Sequence, residues 1–272
     1  MRRMRIPFVK MHGLGNDFVV LDARRDALLP VTNDLARALA DRKTGIGCDQ
    51  LILLEPSGKA DFRMRIFNND GGEVESCGNA SRAVAMLHGE PASIETSGGV
   101  IEVRPSENGI SVDMGMPRFG WQEIPLAYAM DTAALPLAWE DLVNPFAVNV
   151  GNPHVVFFVD DVDAVELDRL GPQIEHDPVF PERVNVNVAQ IVNREAILLR
   201  VWERGAGLTR ACGTGACATA ITAMSRGLVE REVAVTLPGG TLTIGWDEDQ
   251  MITMTGPAAE SFRGTFDPAD FA

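Results

Sequence analysis

The chain of 272 residues is 46% apolar and 23% charged, which is enough for two hydrophobic cores. Its net charge of −14 would repel nucleic-acid phosphates and anionic lipids, so the composition argues against either as a partner. The sequence has no uncharged apolar run near the roughly 18 residues of a membrane span, and its four cysteines are too few for a disulfide scaffold. Polar residues interrupt the stretch after the basic start, where a signal peptide would be apolar. We therefore expect a cytoplasmic protein.

The first half of the chain predicts a strand-rich series with two helices. The first helix has Thr32 or Asn33 as its N-cap, and the second begins after Cys77 and closes at Gly89. In chain order the predicted elements are β-rich residues 8–22, a helix at 33–41, β-rich residues 60–67, a helix at 78–88 and a strand pair at 93–104.

The second half predicts a similar series. Residues 117–145 contain four prolines and have no counterpart in the first half, so we expect them to connect two domains. The elements that follow are β-rich residues 147–160 and 196–202, a helix at 213–226 that closes at Gly227, and a strand pair at 232–246.

The two halves also share motifs at a nearly constant offset. Cys77 and Cys212 are 135 residues apart, each followed by a glycine, and the pair Gly-Asn ending at Asn16 recurs 136 residues later at Asn152. This indicates a tandem duplication, with each half strand-rich around one central helix.

The duplication predicts two domains that share a site. The expected N-terminal domain is residues 1–120, completed by the tail 257–272, and the C-terminal domain is residues 121–256. Residues at equivalent positions of two facing copies would line opposite walls of one cleft, where we expect the active site.

Cys77 and Cys212 are the candidate catalytic residues. Each is predicted at a helix N-terminus, where the helix dipole and unpaired N–H groups stabilise a thiolate. A single cysteine is more often a small buried apolar residue, and Cys48 and Cys217, which lack partners across the repeat, are assigned that structural role. Two cysteines in register favour chemistry instead.

The residues after each cysteine predict an anion site, and other site types lack support. Glycines at the helix starts would expose backbone N–H groups to a carboxylate. The histidines have no metal-ligand spacing, the glycine pairs fit no nucleotide-binding motif, and no lysine has a cofactor setting. We therefore predict chemistry without a metal or cofactor.

Paired thiols suit inversion at a carbon. One thiolate removes a proton from one face, and the opposite thiol delivers a proton to the other face. The helix ends would hold the α-carboxylate, where negative charge grows in the transition state. The pattern alone thus predicts a two-base racemase or epimerase.

Ordered motifs along essentially the whole chain resemble the diaminopimelate epimerase family. They are His12-Gly13-Leu14-Gly15-Asn16-Asp17-Phe18, Phe67-Asn68-Asn69-Asp70-Gly71, Cys77-Gly78-Asn79, Gly151-Asn152-Pro153-His154, Glu182-Arg183-Val184-Asn185, Glu203-Arg204-Gly205-Ala206-Gly207 and Ala211-Cys212-Gly213-Thr214-Gly215-Ala216. The resemblance implies an α+β fold of two pseudo-symmetric domains, each a strand-rich barrel-like sheet around a central helix.

The resemblance also implies an activity and a set of site residues. The activity is cofactor-independent interconversion of LL- and meso-2,6-diaminopimelate in bacterial lysine and peptidoglycan precursor biosynthesis, with Cys77 and Cys212 as the acid/base pair. The residues implied at the reacting end of the substrate are Asn16, Gln50, Gly78, Asn79, Gly213 and Thr214. Those implied at its distal end are Asn68, Asn152, Asn185 and Arg204, with His154 and Glu203 tuning the thiols and Glu203 also binding substrate.

Three alternatives remain at this point. A related two-cysteine racemase of the proline or hydroxyproline type would not need the distal residues. A dithiol redox protein is an alternative because low-pKa thiols oxidise readily. It would use the same cysteines but would not exchange a proton at a substrate carbon. A non-catalytic amino-acid-binding protein leaves the paired thiols unexplained. The predicted partner is the small-molecule substrate, without nucleic acid or membrane, and a homodimer is the assembly to test.

Overall fold

The structure, a computed structural model, describes residues 5–26, 28, 30–75 and 77–271. The basic start and Ser76, which precedes the first candidate cysteine, lie outside the described residues. The chain forms two compact units, of which unit 1 is Met1–Val112 with Gly256–Ala272 and unit 2 is Asp113–Thr255. No helix in the part of the chain that the structure describes is long and apolar enough to cross a membrane.

Unit 1 is a mixed sheet with two crossover helices. Its elements are β1 (Ile6–Gly13), β2 (Asn16–Asp22), α1 (Asn33–Ala40), β3 (Gln50–Glu55), β4 (Phe62–Asn68), β5 (Glu73–Val74), α2 (Gly78–His88), β6 (Ala92–Thr96), β7 (Gly99–Ser106), β8 (Gly109–Asp113), β19 (Ala259–Phe266) and a 3₁₀ turn (Pro268–Phe271).

The strand order in unit 1 follows from two parallel steps. β2 pairs with β3 in parallel across α1, and β4 pairs with β6 in parallel across α2, as a helical crossover allows. The other pairings are antiparallel and give the order β19-β1-β2-β3-β4-β6-β7-β8, with β5 beside β4. Helix α2 contacts β1, β2, β7 and β19, so strands surround it.

Unit 2 repeats this topology. Its elements are β9 (Ala138–Trp139), β10 (Leu142–Val143), β11 (Phe146–Asn149), β12 (Pro153–Phe158), α3 (Leu167–Glu175), β13 (Asn185–Asn193), β14 (Ala196–Glu203), β15 (Gly207–Thr209), α4 (Gly213–Ser225), β16 (Glu232–Leu237), β17 (Gly240–Trp246) and β18 (Ile252–Gly256).

The pairings of the unit 2 sheet repeat those of unit 1 from β1–β2 to β7–β8, and β1–β19 has no counterpart among them. β12–β13 and β14–β16 are parallel across α3 and α4, while β11–β12, β13–β14, β14–β15, β16–β17 and β17–β18 are antiparallel. Helix α4 contacts six strands and is buried along almost its whole length, which explains its alanine-rich sequence. The predicted fold class, a strand-rich sheet around a helix in each of two pseudo-symmetric halves, is confirmed.

The predicted helices agree closely with the structure where a cap residue marks their ends. Helix α1 has Thr32 as N-cap, whose Oγ1 accepts from Leu35 N at 3.2 Å. Helix α2 ends at Gly89, which has a φ of 87°, a left-handed conformation that glycine adopts without strain.

Helix α3 and strands β3 and β13 were not predicted. Within α3, Gly171 and Pro172 have low helix propensity. The helix forms because Leu167, Leu170 and Ile174 are buried in the core of unit 2, and tertiary packing outweighs propensity.

Residues 117–145 do not form the simple connection expected from their prolines. They lie within unit 2 and include the β9–β10 hairpin. Ile124, Leu126 and Leu135 are buried in the same hydrophobic cluster as Val155 and Val186 of the sheet. This segment is therefore part of the unit 2 core.

Gly171 permits the close approach of α3 to the sheet. A methyl group there would lie 2.5 Å from the indole ring of Trp202. We predict that Gly171→Ala lowers the free energy of unfolding by about 1–3 kcal/mol, the usual cost of overpacking, although alanine favours helix. Urea denaturation measures this, with Gln173→Ala on the exposed side of α3 as control. Equal or higher stability of Gly171→Ala would contradict the packing argument.

Candidate functional site

Cys77 is the N-cap residue of α2 and is half-buried. Its carbonyl accepts from both the backbone N–H and the hydroxyl of Ser81, each at 3.0 Å, which fixes the first turn that starts at Gly78. Its Sγ lies 3.8 Å from Oδ1 of Asn16, the first residue of β2. The strand and the helix thus bring an amide oxygen to the thiol.

Asn79 completes an amide network beside Cys77. Asn79 Nδ2 donates to Asn16 Oδ1 at 3.3 Å, and its Oδ1 accepts from Arg82 Nη2 at 2.6 Å. The Arg82 side chain is fully buried. A guanidinium only donates hydrogen bonds, so Arg82 determines which end of the Asn79 amide faces Asn16.

Gln50 and Asn68 lie directly opposite each other on β3 and β4. Gln50 Nε2 donates to Asn68 Oδ1 at 2.9 Å. Gln50 Oε1 is buried and has no hydrogen-bond partner among the described residues, so it is an acceptor that a ligand or a water molecule can satisfy.

A charge cluster that sequence reasoning missed supports the Asn16 end of this network. Asp49 Oδ2 accepts from Asn16 Nδ2 at 3.1 Å and from Asp17 N at 3.0 Å, and Arg42 binds both aspartates. Burial raises the pKa of Asp17, but hydrogen bonds from Arg42 and Lys10 outweigh it and hold that pKa well below its usual range. The sequence could have indicated these aspartates by their position, because Asp17 and Asp49 are each next to a predicted site residue.

Cys212 is the N-cap residue of α4 and is only 3% exposed. Its Sγ accepts from Gly215 N at 3.3 Å and lies 3.6 Å from Thr214 Oγ1. Gly213 and Thr214 form the first turn of α4. These groups favour a thiolate, but burial of the sulfur opposes them.

Glu203, at the end of β14, is the charged neighbour of Cys212. Its carboxylate accepts from Thr209 Oγ1 at 2.5 Å, and its charge acts on the Cys212 thiol. Burial and the negative charge of Glu203 raise the pKa of Cys212 well above its usual value, and burial also raises the pKa of Glu203. Cys212 is therefore a protonated thiol at neutral pH.

His154 lies fully buried on β12, and its ring bonds two amides instead of a thiol. Nε2 lies 2.8 Å from Asn152 Oδ1, and Nδ1 lies 3.0 Å from Asn187 Nδ2. Burial lowers the pKa of His154 to about 3, so the ring is neutral. Asn187, which is also fully buried, was not identified from the sequence, because nothing in its local motif distinguishes it from other strand residues.

Asn185 and Arg204 are joined through the backbone. Asn185 Oδ1 accepts from Arg204 N at 2.9 Å, and Asn185 Nδ2 donates to Pro153 O at 2.8 Å. The Arg204 side chain is exposed and donates to Glu182 O at 3.0 Å. Glu175 of α3 accepts from Gly205 N at 3.0 Å and so holds the same turn.

The predicted residues therefore group within each unit. Unit 1 contains two groups, one of Asn16, Cys77, Gly78 and Asn79 and one of Gln50 and Asn68. Unit 2 contains three groups, which are Glu203, Cys212, Gly213 and Thr214; Asn152 and His154; and Asn185 and Arg204.

The remaining cysteines are packing residues. Cys48 and Cys217 are buried, and burial raises the pKa of Cys48 to about 11. A cluster of three or more potential metal ligands is absent from the described residues.

The fold is one that several solved structures share. A phenazine biosynthesis protein of the PhzF family from Enterococcus faecalis is similar with a TM-score of 0.71 and 16% identity, covering 97% of this chain and 99% of that chain. A hydroxyproline epimerase from Agrobacterium vitis is similar with a TM-score of 0.68 and 16% identity, covering 98% and 93%.

Sequence similarity defines the family within that fold. The diaminopimelate epimerase family model matches residues 8–120 and 146–260. A diaminopimelate epimerase of Erythrobacter litoralis is 71% identical over 269 residues, covering 99% of this chain and 100% of the relative. One of Zymomonas mobilis is 54% identical over 270 residues, with the same coverage. The chain belongs to the diaminopimelate epimerase family and is an isomerase, which confirms the resemblance found in its motifs.

The Glu203 carboxylate disfavours the Cys212 thiolate, so removing its charge should favour that thiolate. We predict that Glu203→Gln moves the midpoint of Cys212 alkylation by iodoacetamide about one pH unit lower, as expected for loss of a close like charge. Mass spectrometry of the Cys212 peptide across pH measures this. Glu232→Gln, an exposed site on β16, should leave the midpoint unchanged. A midpoint that rises in Glu203→Gln would contradict the assigned role.

Proposed function

We propose that the protein interconverts LL- and meso-2,6-diaminopimelate with Cys77 and Cys212 as its two catalytic residues. The observation that carries this proposal is that each cysteine is the N-cap residue of the equivalent helix in its unit, α2 or α4. Membership of the diaminopimelate epimerase family supports the choice of substrate.

The proposed reaction is a proton transfer at each face of one α-carbon. A cysteine thiolate takes the α-proton and becomes a thiol, while the electron pair of the broken C–H bond stays on the carbon. The other cysteine gives its thiol proton to the opposite face and becomes a thiolate. Each turnover thus inverts the carbon and exchanges the protonation states of the two cysteines, without a net gain or loss of protons.

The surroundings of Cys212 support a starting assignment. Because Cys212 is buried beside Glu203 and is protonated, we assign it as the acid and Cys77 as the base in the first turnover. Cys77 is the more exposed of the two, as expected for a thiol that must meet substrate before the site closes.

The proposed binding residues supply groups for both ends of the substrate. Backbone N–H groups at the starts of α2 and α4 would hold the α-carboxylate, where charge accumulates as the proton leaves. We assign Asn16, Gln50, Gly78, Asn79, Gly213 and Thr214 to the reacting end, and Asn68, Asn152, Asn185 and Arg204 to the distal amino acid group. Glu203, beside Cys212, tunes that thiol and also binds substrate. Arg204 is exposed and can pair with a carboxylate in bidentate geometry.

Two further assignments complete the proposal. The reaction uses the side chains named above, so we propose no cofactor. The cytoplasmic location, the place in lysine and peptidoglycan precursor biosynthesis and the homodimer stay predictions.

Proton exchange with solvent tests this function. In deuterated water with reductant, LL-diaminopimelate should incorporate deuterium at one α-carbon and give the meso isomer, as followed by NMR and chiral separation. Cys77→Ser and Cys212→Ser should each lower the epimerisation rate by about 10²–10⁴-fold, the contribution of general acid–base catalysis. Cys48→Ala, which removes a packing thiol, is the matched control.

The other outcomes separate the alternatives. Exchange with proline or hydroxyproline but not with diaminopimelate would keep the mechanism and overturn the substrate. An absence of exchange with all these amino acids, together with reversible oxidation of the two cysteines to a disulfide as the disulfide of a partner protein is reduced to two thiols, would favour a redox protein. Full activity in either serine variant would overturn the two-base assignment.

A further inference from the structure

We propose that Asn16 and Asn152, which occupy equivalent positions of the duplication, are held in opposite amide orientations by two positioning residues, Asp49 and Asn187. Asn16 then presents its carbonyl oxygen and Asn152 its NH₂ group. The ligand roles drawn from this rest on the proposed function, whereas the orientations rest on contacts within each unit.

The orientation of Asn16 follows from a partner that can only accept hydrogen bonds. Asp49 Oδ2 lies 3.1 Å from the Asn16 side-chain nitrogen, and an ionised carboxylate has no hydrogen to donate. Arg42, bound at 2.7 Å to the other Asp49 oxygen, holds that carboxylate in place. Asn16 Oδ1 is therefore the atom directed at Cys77 Sγ, 3.8 Å away.

A second, independent contact requires the same orientation. Arg82 donates to Asn79 Oδ1, which leaves Asn79 Nδ2 as the group that faces Asn16 at 3.3 Å. A donor on Asn79 needs an acceptor on Asn16, and that acceptor is Oδ1. Asn16 is thus fixed from Asp49 on one side and from Asn79 on the other.

In unit 2 the orientation of Asn152 follows from a contact with a backbone carbonyl. Asn187 lies 2.9 Å from Val155 O, which only accepts, so the amide atom placed there is Nδ2. The same Nδ2 lies 3.0 Å from His154 Nδ1, so Nδ1 is the acceptor. A neutral imidazole with an acceptor at Nδ1 carries its hydrogen on Nε2. His154 Nε2 therefore donates to Asn152 Oδ1 at 2.8 Å, and Asn152 Nδ2 is directed away from the ring.

The duplication explains why the two halves differ. Phe18 pairs with Gln50 as His154 pairs with Asn185, so Phe18 is the counterpart of His154 and Asp49 is the counterpart of Val184. Unit 1 thus has the acceptor Asp49 where unit 2 has the apolar Val184. Unit 2 has the donor His154 where unit 1 has the apolar Phe18. The equivalent asparagines thus present an acceptor in unit 1 and a donor in unit 2.

The two orientations suit different parts of an amino acid ligand. A carbonyl oxygen beside Cys77 accepts from a thiol or an ammonium group, which places Asn16 at the reacting end. An NH₂ group donates to a carboxylate, which places Asn152 at a carboxylate of the ligand. Disturbing Asp49 should therefore affect the chemical step, and disturbing Asn187 should affect binding.

The His154 tautomer tests the unit 2 arm directly in the unmodified protein. We expect ¹⁵N NMR at neutral pH to show a neutral ring with its hydrogen on Nε2, the signal being identified by its absence in His154→Gln. A ring with its hydrogen on Nδ1, or a charged ring, would overturn the orientation. This readout does not depend on activity, so it still applies if the proposed epimerase function fails.

Kinetics of Asn187→Asp test the consequence. An aspartate at this position has no donor for His154 Nδ1, so the tautomer and the Asn152 amide should both reverse, and KM for LL-diaminopimelate should rise about tenfold with a small change in kcat. Asn193→Asp, in the same strand but exposed, is the matched control and should match the unmodified protein. The tautomer of Asn187→Asp, read by the same NMR experiment, shows whether the folded variant has reversed.

Asp49→Asn tests the unit 1 arm. It places an NH₂ group against either Arg42 or Asn16, so kcat should fall about tenfold with a small change in KM. Asp49→Glu, which keeps a charged acceptor, should recover part of the loss, and Asp34→Asn on the exposed face of α1 is the control. A change mainly in KM for Asn187→Asp and mainly in kcat for Asp49→Asn supports the role of these two residues in positioning the asparagines. Equal effects on both constants, or none, in folded variants would overturn it.

Discussion

The structure depends on a helix whose N-terminal turn carries a cysteine and whose body is enclosed by the sheet of its own unit. In both units the helix connects two parallel strands, β4 to β6 or β14 to β16, so its start is fixed by the strand that precedes it. Because the helix is packed on most sides, the cysteine at its N-cap cannot move without moving the core. A reactive group on a rigid element keeps its geometry through turnover.

The two units use the same topology to make different environments. Around Cys77 the neighbours are neutral amides held by a charge cluster, whereas around Cys212 they are a carboxylate and a hydroxyl in a dry setting. Under the mechanism proposed above, in which the two thiols hold one proton between them, this difference gives the pair a preferred starting state. The two units share the geometry of the helix start and differ in the residues that surround the cysteine.

Much of the fold could be predicted because its helices carry local signals. Thr32 and Gly89 mark helix ends through capping that involves only neighbouring residues, and the two cysteines stood out by their spacing. Helix α3 could not be predicted, since its Gly171-Pro172 pair disfavours helix and only packing against Trp202 and the core stabilises it. Asp49 and Asn187 were not predicted as site residues for a related reason. Their roles arise from strand pairing between residues about 30 positions apart.

Unit 1 is built from two separate parts of the chain, so its sheet cannot be completed until translation is nearly finished. Strand β1 lies between β2 and β19, so the sheet around α2 is incomplete until residues 259–266 have left the ribosome. By then all of unit 2, which is continuous in sequence, has been synthesised and can have folded. The sheet of unit 1 is therefore completed last, and a nascent chain interrupted before β19 would expose an unpaired edge of β1 to chaperones and proteases.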